Sequence, residues 1–170
     1  MKLTAWLLAA ALASPLASPL AQAGADPAAQ VVQAKALMRA GAASQPAARA
    51  LFRQAAGQGS GAAAYYLGLM LKNGMGGAQD SGAALHWLQL AAQRQVAPAM
   101  FIVANMLLDS DEDKARFWLD AACELEYPEA LQQKSVAVGE GRMGYAHSEE
   151  LANLYLKMAT HAMGHRAAEP

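Results

Sequence analysis

An alanine pattern that returns four times along the chain is the feature that most restricts its fold. The template is Ala, a large residue three positions on, Ala seven on and Ala fifteen on. It is met by Ala48, Leu51, Ala55 and Ala63, then by Ala84, Trp87, Ala91 and Ala99. It returns at Ala115, Trp118, Ala122 and Ala130, and again at Ala152, Tyr155, Ala159 and Ala167. The first, fourth and eighth residues of each copy lie on one face of an α-helix, giving a stripe of small, bulky, small. Small ends admit a neighbouring helix, the bulky residue fills the space between, and the last alanine falls on a next helix. The pattern therefore predicts an all-α chain of helix pairs joined by tight turns.

The joints agree with that unit. Gly57-Gln58-Gly59, Gln93-Arg94-Gln95 and Glu124-Leu125-Glu126 fill equivalent turns, and Pro98 and Pro128 stand near the start of the next helix. Proline is tolerated there because a first-turn N–H has no intrahelical acceptor. In the best-formed copy, helices are expected at 61–73 and 80–93, with Asp80 as N-cap after the glycine-rich segment 74–77. Successive copies are 36, 31 and 37 residues apart, the short step arising where Asp109-Ser110-Asp111-Glu112 replaces that glycine-rich loop. The segment Val31 to Ala40 reads as a shortened first helix, ended by Gly41 and a Ser44-Gln45-Pro46 turn.

Residues 1–23 read as a cleavable secretory leader. Lys2 precedes the apolar stretch from Leu3 to Leu12, and Ala21-Gln22-Ala23 closes it as an A-x-A site. The stretch is short of the ~20 residues needed to span a bilayer. Export to the periplasm and cleavage after Ala23 are expected, leaving 24–170 as one domain with units near 30–60, 61–96, 97–127 and 128–167, without membrane insertion once the leader is removed. From residue 24 on, 12 Lys and Arg stand against 14 Asp and Glu. That balance argues against nucleic acid as a partner, which calls for a basic surface. Acidic residues concentrate after residue 107, so the two ends should differ in sign, a bias able to orient a partner. A lone cysteine, Cys123, offers no internal disulfide and reads as a small core residue.

The run A-x-x-x-L-G (Ala63, Leu67, Gly68), then N-G-x-G from Asn73, an Asp at 80, and A-x-x-W-x-x-x-A-A from Ala84 resembles the Sel1-like repeat, a relative of tetratricopeptide repeats. The resemblance is strongest over 61–99. It implies a right-handed α-solenoid of antiparallel helix pairs, about three to four repeats here. It also implies that the first helix of each pair lines a concave face. Aligned by their alanines, those helices would bring Tyr66, Leu69, Asn73, Ile102, Asn105, Gln133 and Val136 to a mostly apolar groove able to hold a peptide or helix.

Catalytic or metal chemistry finds little footing. Asp109, Asp111, Asp113 and Asp120 echo a calcium loop, but Lys114 stands where such a loop needs glycine. The acidic run reads instead as a first helical turn, with Ser110 as its cap. His161 and His165 are one turn apart, but no glutamate follows His161 as a metalloprotease helix requires. No cofactor is expected. The resulting expectation is a non-enzymatic scaffold, adaptor or inhibitor that binds another protein or peptide. Two alternatives stand beside it. Cysteine-rich Sel1-like proteins, linked by the family resemblance to β-lactam binding or hydrolysis, carry paired cysteines that this chain lacks. A structural subunit stacking end to end through its last helix and its oppositely charged ends is the other.

Overall fold

The computed structural model describes residues 26–165, and its regular elements are all helical. The expected leader and the last template alanine, Ala167, lie outside the described residues. The helices are α1 (Pro27–Arg39), α2 (Gln45–Gly57), α3 (Gly61–Lys72), α4 (Ser81–Gln93), α5 (Ala97–Leu107), α6 (Glu112–Glu124), α7 (Pro128–Glu140) and α8 (Glu149–Gly164), with one 3-10 turn at Ala42–Ser44. They form four antiparallel pairs in chain order, each packed on the next. Among the described residues no helix is long and apolar enough to cross a membrane.

Local chemistry sets the helix starts. Asp26, Ser60, Asp80, Asp111 and Ser148 each accept a hydrogen bond from a backbone N–H of the first turn. α5 and α7 lack a side-chain cap but carry Pro98 and Pro128 in the first turn. Two expectations are corrected here. α1 is not shortened: Asp26 and Pro27 start it earlier, and at 13 residues it equals α2. The cap of α6 is Asp111, 3.1 Å from the Lys114 N–H, whereas the Ser110 hydroxyl turns back to the Leu107 carbonyl.

The turns between pairs share one backbone feature. Gly59, Gln95 and Glu126 occupy equivalent places and all have positive φ, at 95°, 63° and 53°. Only the first is glycine, so the other two hold a left-handed conformation that a side chain disfavours.

Template alanines lie at the bottom of the core. Ala48, Ala55, Ala84, Ala91, Ala115, Ala122 and Ala159 are fully buried, and Ala152 is half-buried. The large template residues are not the deepest: Leu51, Trp87, Trp118 and Tyr155 are only half-buried. The residues that follow the first three, Phe52, Leu88 and Leu119, are the fully buried ones. A β-carbon on Gly68 would come within 2.6 Å of Leu88 Cγ, so glycine lets α3 and α4 close on each other. α7 has Ser135 in the place of Gly68, and its hydroxyl donates to the Ala152 carbonyl of α8 at 2.7 Å. Leu156, the α8 counterpart of Leu88, is exposed, as are Leu151, Leu154 and Met163.

The loops inside the pairs alternate: short in α1–α2 and α5–α6, long in α3–α4 and α7–α8. An arginine from each short-loop pair anchors the long loop that follows. Arg49 of α2 donates to the Ala78 carbonyl at 3.1 Å, and Arg116 of α6 donates to the Met143 carbonyl at 3.3 Å. Gly76 shows how closely the first loop lies on α2, since a β-carbon there would meet the Gln45 carbonyl oxygen at 2.5 Å.

Candidate binding site

The groove residues expected from sequence divide into three groups. Tyr66 is corrected: it is buried, stacked on Phe52 at 5.2 Å between ring centres, with the Lys35 ammonium 4.8 Å from its own. It belongs to the contact between the first two pairs, not to a free surface. Leu69 and Ile102 are half-buried against the core, and Asn73 is exposed at the end of α3. Asn105, Gln133 and Val136 do come together: Gln133 Nε2 donates to Asn105 Oδ1 at 3.1 Å, tying α7 to α5, and Val136 stands 46% exposed one turn from Gln133.

Beside that pair opens a cleft of about 650 Å³. Leu108, Val136 and Met143 give it apolar surface, Asp109 and Glu112 stand on one rim, and Arg142 on the other. Its two walls come from different pairs. One is the short α5–α6 connection, and the other is α7 with the long loop after it. Met143 holds φ at 56°, an uncommon conformation for a side-chain-bearing residue, and is nearly buried. Arg116 grips its carbonyl while pairing with Asp113 at 2.8 Å, and Gly141 ends α7 in a left-handed conformation. Sequence reading missed Leu108, Arg142 and Met143. The spacing that flagged a missing loop at 109–112 was the available signal.

A second constellation crosses the last two pairs. Lys134 of α7 bonds Asp120 of α6 at 2.6 Å and lies over the rings of Tyr145 and Tyr155, and the Tyr145 hydroxyl donates to the same carboxylate at 2.7 Å. Burial works against the Lys134 charge, but the Asp120 hydrogen bond and charge outweigh it, with Tyr155 adding, and hold its pKa above 10.5. Burial pushes the neighbouring Cys123 thiol up to about 12. Burial, then the Asp120 hydrogen bond, raises the Tyr145 phenol as well. Thiol and phenol are thus held neutral, the reverse of what activates a nucleophile.

The remaining candidates are dispersed. Asp111 pairs with Lys114, Asp113 with Arg116 and Asp120 with Lys134, so three of the four acidic residues of the calcium-like spacing turn to separate cations, and Asp109 stands exposed apart from them. His161 and His165 are exposed, their ring centres 4.7 Å apart.

No protein-family model matches the chain. An uncharacterized protein of Neisseria meningitidis serogroup B is 34% identical over 83 residues, which are 49% of this chain, and the chain spans only 18% of that protein's length. A crystal structure of a Sel1 repeat protein from Oxalobacter formigenes superposes with a TM-score of 0.71 and 22% identity, covering 79% of this chain and 58% of that one. A protective antigen of uropathogenic Escherichia coli displaying an SLR fold gives a TM-score of 0.45 at 18% identity, covering 79% of this chain and 38% of that one. With eight helices in sequential antiparallel pairs among the described residues and this likeness to the Oxalobacter protein, the chain has the Sel1-like repeat fold.

Proposed function

We propose that this chain is a periplasmic protein-binding scaffold, an adaptor or inhibitor that works by holding another polypeptide and not by catalysis. The observation that carries the reading is the cleft of about 650 Å³ with apolar surface from Leu108, Val136 and Met143 beside the Asn105–Gln133 pair. A concave site with apolar lining and a few placed polar groups is the general form of a binding site. One wall holds the Asp111-capped start of α6 and the other a loop anchored by Arg116, so the site is largely preformed and ordering it on binding costs little. Export through the leader at 1–23 would place it where it meets envelope or secreted proteins.

Photo-crosslinking tests this in cells that produce the protein. A benzophenone amino acid at Val136 should give adducts with another protein, while one at exposed Arg53 of α2 should not. Equal labelling from both positions, or none from Val136, would overturn the reading. Adducts only with a second copy would replace it with end-to-end or face-to-face self-association.

A further inference from the structure

The cleft has a charge of its own, and that charge narrows what it takes. The cations around it are already matched: Arg142 pairs with Glu140 at 2.5 Å, Lys114 with Asp111, and Arg116 with Asp113. Asp109 and Glu112, both exposed on the rim, have no basic partner within ion-pair distance among the described residues. The start of α6 favours a carboxylate at Glu112, but Asp109 lies before that helix, outside its first turn. Between the two carboxylates and the α7 wall lies an apolar opening lined by exposed Val136, half-buried Leu108 and buried Met143.

We infer that the cleft takes a cationic polypeptide segment, one large apolar side chain entering between Leu108, Val136 and Met143 while a flanking lysine or arginine meets Asp109 and Glu112. This rests on the proposed binding role and adds the chemistry of the occupant. An apolar anchor supplies most of the attraction by leaving water, and the rim charges select among anchors and speed encounter. An anionic segment would face two unmatched carboxylates, and a purely apolar one would leave them unused. The short α5–α6 connection is what leaves the rim open and acidic.

Two fluorescent nine-residue peptides sharing a Leu-Phe-Leu centre are the probes, one flanked by lysines and the other by glutamates. Fluorescence anisotropy with the full mature chain should show the lysine-flanked peptide binding at least about tenfold more tightly, with affinity falling as salt rises. The Asp109→Asn, Glu112→Gln double variant should lose roughly fivefold in affinity for that peptide and most of its salt dependence. A control, Glu149→Gln with Glu150→Gln on exposed α8, should change neither. Val136→Ser should weaken the peptide at every salt concentration, while circular dichroism shows every variant folded, with melting lowered by only a few degrees where a first-turn carboxylate is lost.

Binding indifferent to the flanks, equal loss in the α8 control, or no binding of either peptide would overturn the inference. Its failure is separable from that of the binding role. If Val136 still crosslinks a protein in cells, the role stands and only the cationic occupant falls. If Val136 crosslinks nothing, both fall.

Discussion

Leu119 and Trp118 are neighbours in α6 with different surroundings, Leu119 fully buried and Trp118 half-buried. Leu119→Ala should therefore destabilise by ~3–5 kcal/mol, and Trp118→Ala by less, about 1–3 kcal/mol, read by denaturant unfolding. The reverse order would show that the buried face is drawn wrongly. The alanine stripe located this face but not its centre. At about 100° per residue, the fourth and fifth positions of the template flank the first alanine on opposite sides, so periodicity alone admits either as the core. The bulk of Trp87 and Trp118 drew the reading to the wrong side. Burial of the residues after Ala55, Ala91 and Ala122, namely Ala56, Ala92 and Cys123, sets the centre on the other. Tyr66 was misplaced for a related reason: its burial depends on Phe52 and Lys35 from two other helices, which no local pattern records.

Among the elements, the turns between pairs carry the clearest unmet preference. Gln95 and Glu126 hold the left-handed backbone that Gly59 adopts at its equivalent turn. Gln95→Gly should raise stability by ~0.5–1 kcal/mol, measured as a higher denaturation midpoint at unchanged slope. A loss of stability would mean that the side chain contributes more than the backbone strain removes. Helix starts were legible where the cap is a single residue before a run, as at Asp80. The start of α6 was not, because Ser110 and Asp111 both have capping chemistry and only the backbone path chooses between them. The cleft was beyond sequence reading for a different reason. Its walls come from the α5–α6 connection and the loop after α7, whose approach depends on how successive pairs stack.

Across the whole molecule the junctions between pairs are unlike. α6 and α7 touch less extensively than α2 and α3 or α4 and α5, and there Asp120 binds both Lys134 and Tyr145. The bracket is partly solvated, with Asp120 38% and Lys134 15% exposed, so Asp120→Asn should cost ~1–3 kcal/mol, less than breaking a fully buried pair. Hydrogen exchange should show α7 and α8 opening ahead of the other helices in that variant, as expected for a stack held by neighbour contacts. The same cluster sets the alkaline limit. Lys134 has a raised folded pKa, so its contribution is complete below 10.5 and is lost as pH rises through the folded value. Cys123 stays neutral in the fold to about 12, whereas the unfolded thiol ionises from its ordinary 9.0, which also favours unfolding between those values. Melting temperature should hold level from neutral pH to about pH 9 and then fall. Cys123→Ala should make the fall shallower, and an unchanged slope would remove the thiol from the account.

The alternation of short and long loops makes the repeating cell of this molecule two helix pairs, not one. Arg116 follows Arg49 by 67 positions, as Ser135 follows Gly68 and Gly141 follows Gly74, so the block from α5 to α8 restates the block from α1 to α4. Unequal steps of 36 and 31 residues are then halves of a single longer period. A lattice with a two-pair cell grows in phase only by whole cells. Adding one pair would either set two loops of the same kind side by side or leave an arginine without the carbonyl it holds. Adding two would continue the stack in register, each arginine again facing the long loop that follows it.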